Sequence, residues 1–286
     1  MPVSNDNGRV LEYMIVNQIE NTIKNRCKLT NNTINQNTRD IEKLPLISKE
    51  LLSHYEKNVP KISDWIIKNF NDELIEIDRL SDSFGMKGDV TDIRIKSGTK
   101  TLNISCKNNN TSVKHQRPGT TPEHFGLQNN DNLSKIFKVR YSEINSNFYL
   151  ESKSKNLNLK YYNEIEEENK TNYLYNPICN LVSEFINNNS SKGEIYQKFL
   201  LGHTDYTQII LNKKNFVIKE FSNLPKSNQV SSSINKYGHI IVDFHNSIIL
   251  SMRLHNASSK ITEKGSLKFD TKIEKMNIPI TFYDCV

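Results

Sequence analysis

Apolar residues recur at helical spacing through much of the first 200 positions and alternate with polar ones from Tyr206 onward. Val10-Leu11-Glu12-Tyr13-Met14-Ile15-Val16 is apolar on almost every side, which predicts a buried helix over about 9–26, capped by Asp6 or Asn7. A second helix is predicted over 41–57, disturbed at its start by Pro45. A third begins at Pro60, a residue favoured in a first turn, and carries Ile62, Trp65, Ile66, Phe70 and Leu74; the spacing of Trp65 with Ile62 and Ile66 reads as core. Beyond a loop rich in Pro, Gly and Asn over 118–132, helices are predicted at 133–142, 173–187 and 194–201. The polar run 151–170 reads as a solvated helix or insertion. TQIIL and FVIKEF form a hairpin, and HIIVDF, SIILSMRL, SLKFDTKI and IPITFY follow as strands. The fold class is α+β, a mixed core flanked by helices with a β-rich C-terminal part. The expected divisions are 1–150, 151–205 and 206–286.

One hairpin interrupts the helical part. In Gly88–Lys107, GDVTDIRIKSGTKTLNISCK, Ile93 and Ile95 share one face, and Asp92, Arg94 and Lys96 the other. Leu102, Ile104 and Cys106 likewise oppose Asn103, Ser105 and Lys107. A loop centred on Thr99-Lys100 sets Asp92 opposite Lys107. A carboxylate and a lysine at adjacent strand ends meet the needs of a Mg²⁺-dependent phosphodiesterase: the acid holds the metal, and the lysine prepares water and supplies positive charge. An ordinary amphipathic hairpin with a solvated charged face has the same pattern. Asp89 is a second acid nearby. Glu12, on the apolar first helix, needs a partner, either Arg9 or a metal at the hairpin.

Charge sharpens this reading. Between Gly85 and Arg117 seven basic residues face two acidic ones, so +5 of the net +6 falls in this segment. Such a concentration suits a phosphate backbone. Downstream, Lys114 and Arg117 could clamp phosphates, and His115 could contact a phosphate or act as a base. In the strand Ile248–His255, Arg253 and His255 share a polar face, and Asn256, Ser258, Ser259 and Lys260 follow in a turn. These residue types read bases or bind phosphates, and they also suit plain surface β structure.

Asp, a short strand, a turn, a second strand and x-Lys together resemble the PD-(D/E)xK nuclease core. GRVLEY at 8–13, GDVTDIRI, ISCKNNN with SVKHQR at 112–117, and SMRLHNASSKITEKGSLKFD at 251–270 occur in the order and at the separations of HaeIII-type type II restriction endonucleases, which the chain resembles from about residue 8 to 284. The resemblance implies cleavage of double-stranded DNA at a short palindrome, GGCC in the best-known members. It also implies Mg²⁺ held by Asp92, the Cys106 carbonyl and Glu12 or Asp89, with Lys107 orienting the water. Ser105 stands where the superfamily has a second acid, a departure the HaeIII type shares. DNA contacts are implied for Lys114, His115, Arg117, Arg253, His255, Asn256, Ser259 and Lys260. A homodimer and a cognate DNA methyltransferase are expected partners. The alternatives are a repair or structure-specific nuclease on the same core and a DNA-binding protein that has lost its metal.

The remaining composition is consistent with this. There is no long apolar run and no apolar leader, so neither a membrane span nor a signal peptide is expected. Cys27, Cys106, Cys179 and Cys285 are scattered and form no CxxC, which fits reduced thiols in a cytoplasm and no zinc site. Asparagine-rich runs such as NNTINQN read as the bias of an AT-rich genome.

Overall fold

A computed structural model of the chain describes residues 4–71, 73–80, 89–154 and 159–285; Lys87 and Gly88, part of the basic segment and of the hairpin reading, lie outside them. The fold is α+β, with two sheets. The chain forms two compact units, Met1–Thr111 with Gly202–Leu224 and Ile278–Val286, and Ser112–Leu201 with Pro225–Asn277. These units cut across the three consecutive segments expected from the sequence. The reason is strand pairing between residues far apart in the chain.

In the first unit, β1 (Cys27–Leu29), β2 (Ile75–Arg79), β3 (Ile93–Ser97) and β4 (Lys100–Asn108) continue into strands from much later in the chain. With β5 (Lys114–Gln116) assigned to the other sheet, the first sheet runs β1-β2-β3-β4-β6-β7-β12, where β6 is Tyr206–Leu211, β7 Asn215–Phe221 and β12 Ile280–Asp284. β6 lies parallel to β4, pairing Ser105 with Gln208 and Lys107 with Ile210. The expected hairpin TQIIL–FVIKEF is therefore part of the sheet that carries Asp92.

Helices α1 (Ser4–Thr22), α2 (Asn31–Ile41) and α3 (Lys49–Lys68) belong to this unit. One apolar cluster joins Val10, Leu11 and Ile15 of α1 and Tyr55, Ile62 and Ile66 of α3 to Ile93, Ile95, Ile104 and Ile209 of the sheet. The two helices expected around Pro45 and Pro60 are a single one: Pro45 sits in the short turn Leu44–Leu46, and Pro60 lies inside α3. An interior proline costs about 3 kcal/mol. Burying Tyr55, Val59, Ile62 and Ile66 along one stripe, at about 1.5–3 kcal/mol for each large apolar side chain, outweighs that.

In the second unit the sheet runs β5-β11-β10-β9-β8, with β8 Ser231–Ile234, β9 Ile240–Asp243, β10 Ile249–Asn256 and β11 Leu267–Lys275. The longer helices are α4 (Asn132–Ser154), α5 (Asn176–Asn188) and α6 (Gly193–Leu201), so α4 extends well past the expected 142. Phe125 stacks on Tyr196 with centroids 4.2 Å apart and meets Phe185 edge-on. The buried His124 stacks on Phe199 at 3.8 Å. Burial, and then the charge of Lys114, pushes its imidazole down to about 3. The unfolded chain binds this proton near pH 6.5 and the folded chain does not, so the stability that neutral His124 contributes is lost as pH falls from about 6.5 toward 3. Denaturant titrations at pH 7 and pH 4.5 are expected to show a smaller acid loss in His124→Phe than in the parent. The parent's extra slope should approach about 1.4 kcal/mol per pH unit.

Candidate active site

The hairpin reaches its expected composition through a different register. β3 pairs Ile93 with Ile104 and Ser97 with Lys100, so the turn is Gly98-Thr99 and not one centred on Thr99-Lys100. Gly98, at φ +53°, supplies the positive φ that the first central position of a two-residue hairpin turn requires. The correction slides β4 by two residues, which leaves every side chain on its expected face.

Asp92 donates its backbone N–H to the Ile104 carbonyl at 2.8 Å and so stands against Ser105 and Cys106. Its Oδ2 accepts from the Cys106 N–H at 2.7 Å and from Ser105 Oγ at 3.1 Å, and Lys107 Nζ lies 3.6 Å away. Asp92 and Lys107 are partly exposed, whereas Ser105 is buried between β3 and β6. A carboxylate fixed by two donors with an ammonium beside it is a preorganised charged site at a strand end.

Glu12 belongs to this site electrostatically. Burial, and next the negative charge of Asp92, drives its carboxyl up to about 7 against the opposing pull of Arg79 and Lys107. A direct partner is Arg79, which the sequence reading did not weigh: Arg79 Nη2 donates to Glu12 Oε2 at 2.9 Å and to Asp40 Oδ2 at 2.8 Å. Arg79 is fully buried. Asn37 Oδ1 accepts from its Nη1 at 3.0 Å, the Thr33 hydroxyl accepts its backbone N–H, and Asn32 and Gln36 both donate to its carbonyl. The asparagine-rich run attributed to coding bias is thus a helix, capped by Thr30, whose polar residues cradle one arginine. Neither that helix nor Arg79 is anticipated by the sequence reading.

Asp89 is engaged elsewhere. It accepts from Arg94 Nη2 at 2.7 Å and from the Thr91 N–H at 3.0 Å. Burial pushes its carboxyl up, but these hydrogen bonds prevail and hold it below the usual carboxylate range. The concentrated basic segment is likewise dispersed. Arg94 is bound to Asp89 and Asn103, and Lys100 flanks the turn, roughly 17 Å along the strand from Asp92.

Among the described residues no group of three His, Cys, Asp or Glu side chains forms a metal-holding cluster. Glu12 feels the negative charge of Asp92.

The second unit gathers another part of the expected set. On adjacent strands, Asp270 Oδ1 lies 2.5 Å from His115 Nδ1, and Oδ2 lies 3.0 Å from His255 Nε2 and 3.3 Å from Arg253 Nη2. Burial would raise the Asp270 carboxyl, but contacts with the two histidines outweigh it and hold the group well below the usual range. Asp270 is the organiser that residue-by-residue reading missed. Lys114 and Arg117 are placed differently: Lys114 Nζ sits 4.0 Å over the Phe199 ring, and Arg117 Nη1 donates to the Leu267 carbonyl at 3.3 Å. Asn256 and Ser259 line a cavity of about 410 Å³ with Tyr161, Tyr162 and Lys170, and Lys260 bridges to Tyr161.

A mixed sheet flanked by helices, with a carboxylate and a lysine meeting at a strand end, is consistent with a nuclease-like fold. The model of the HaeIII restriction endonuclease family matches residues 8–235, and the chain belongs to that family. No curated protein matches the chain. No helix among the described residues is long and apolar enough to cross a membrane.

Proposed function

We propose that this protein is a type II restriction endonuclease that hydrolyses both strands of duplex DNA at a short palindromic site, with GGCC the site the family implies. The observation that carries the reading is the Asp92–Ser105–Cys106–Lys107 cluster on the central strands of a chain belonging to this family. Asp92, Glu12 and the Cys106 carbonyl would hold Mg²⁺. When bound, Mg²⁺ supplies positive charge against the phosphate and makes a bound water more acidic. Glu12 takes the place of the missing second carboxylate in preference to Asp89, whose oxygens are taken by Arg94 and Thr91. Ser105 contributes by fixing Asp92, since its hydroxyl donates to the carboxylate. Lys107 orients the attacking water and steadies negative charge developing on the phosphoryl oxygens. These roles extend the PD-(D/E)xK pattern to a site with serine at the second acidic position.

Arg253, His115 and His255 face the DNA backbone in this account, held in a fixed array by Asp270. Arg253→Ala is expected to weaken duplex binding and to reduce the slope of log K against log salt by about 1. An unchanged slope in fluorescence-anisotropy titrations would remove Arg253 from the interface. A palindromic site favours a symmetric dimer, and a cognate methyltransferase would protect the host's own sites. The reading is tested with a labelled duplex bearing one GGCC, its methylated form and a scrambled control. Cutting of the first alone, with Mg²⁺ and not with EDTA, is the expected outcome. Equal cutting of all three would favour a structure-specific or non-specific nuclease, and binding without cutting a non-catalytic protein.

A further inference from the structure

The residue that opens β6 is not used by the mechanism above. Tyr206 is buried, and its ring is pinned against Phe221 in a parallel stack with centroids 4.5 Å apart. Its hydroxyl is enclosed and has no hydrogen-bond partner among the described residues. A buried hydroxyl left without a partner is costly, typically about 1–3 kcal/mol.

Two observations place it beside the active site. Ser105 pairs with Gln208 in the parallel β4–β6 ladder, so Tyr206, two residues before Gln208, lies on the sheet face that bears Ser105. At Gly202, whose φ is +91°, a Cβ would lie 3.1 Å from Val90 Cγ2 and 3.6 Å from Tyr206 Cε1. The Tyr206 ring and Val90, two residues before Asp92, thus both border Gly202. Burial, and then the negative charge of Asp92, also pushes the hydroxyl far above the usual tyrosine range. It is consequently a hydrogen-bond donor at any working pH.

We infer that Tyr206 is a positioning residue of the active site, its hydroxyl donating to a water that in turn hydrogen-bonds the Asp92 carboxylate. Water is the partner of choice over a DNA phosphate because the hydroxyl is enclosed. An ordered buried water needs two to four polar partners, and in this inference Tyr206 Oη and the Asp92 carboxylate supply two. Through that water Tyr206 restrains the carboxylate that Ser105 and Cys106 also hold. A ligand held by such outer contacts typically loses about 10–100-fold in metal affinity or activity when they are removed.

The inference rests on Asp92 being a metal-binding catalytic acid, and Tyr206→Phe tests it because only the hydroxyl is lost while the ring stack remains. Mg²⁺ binding would be measured by calorimetry without DNA, cleavage under single-turnover conditions, DNA affinity in Ca²⁺, and stability by denaturant titration. The expected result is Mg²⁺ affinity and cleavage each lowered about tenfold or more, with DNA affinity unchanged and stability little changed. Unaltered Mg²⁺ affinity in the Phe variant would overturn the inference. Should the parent bind Mg²⁺ but cut no DNA, the proposed activity fails, and the calorimetric comparison still decides the role of Tyr206.

Discussion

Asp92→Asn is expected to fold like the parent, bind duplex DNA and cut none of it. The change keeps an oxygen that can accept from the Cys106 N–H and from Ser105 Oγ, so the local hydrogen bonds at 2.7 and 3.1 Å are retained. It removes the negative charge, which is what a divalent ion and the neighbouring Lys107 require. Losing several kcal/mol of transition-state stabilisation corresponds to about 10³-fold or more in rate. Asp92→Ala should abolish cutting as well, but it also leaves the Cys106 and Ser105 donors without their acceptor, at about 1–3 kcal/mol. Comparing the two separates the chemical role from the structural one. Cleavage at more than a tenth of the parental rate in Asp92→Asn would contradict the assignment.

Arg79→Met is expected to be the most destabilising single change in the first unit. Arg79 lies buried between two carboxylates, Glu12 and Asp40, at 2.9 and 2.8 Å. Removing one partner of a buried ion pair costs about 3–5 kcal/mol, because the other charge is left behind. Asp40 keeps Arg39 at 2.9 Å and Lys43 at 3.6 Å, so the stranded group is chiefly Glu12. Glu12 sits near 7, raised by burial and by Asp92. A raised carboxylate favours the fold below its unfolded pKa near 4.5, and that advantage is lost as pH climbs through about 7. Ionised Glu12 is the form that needs Arg79, so the deficit of Arg79→Met should be larger at pH 8 than at pH 5.5. Chemical denaturation at both pH values checks this. A loss below about 1 kcal/mol at pH 8 would show that the network carries little of the stability.

What the sequence revealed and what it hid follow from the same physics. Strict alternation in TDIRIK and KTLNISCK fixed which side chains share a face, and the register correction by two residues preserved that parity. Asp92 and Lys107 were legible because chemistry and alternation coincided at neighbouring strand ends. Arg79 was hidden because an arginine closing a short strand reads as a surface charge. The available signal was parity: in IEIDR it falls on the face of Ile75 and Ile77, the buried one. The helix Asn31–Ile41 was hidden because Asn and Thr have poor intrinsic helix propensity. Its side chains are satisfied by β2, a tertiary effect that no local window contains. Asp270 could be joined to His115 and His255 only once β5 and β10 were known to flank β11.

Sequencing the ends of DNA digested by the purified protein tests the central claim most directly. Unmethylated phage DNA would be incubated with Mg²⁺ and, separately, with EDTA, with Asp92→Asn alongside. The account predicts discrete fragments that require Mg²⁺, share one short palindromic end sequence and are absent with the variant. Fragments with unrelated ends, or intact DNA that the protein nevertheless binds, would contradict it.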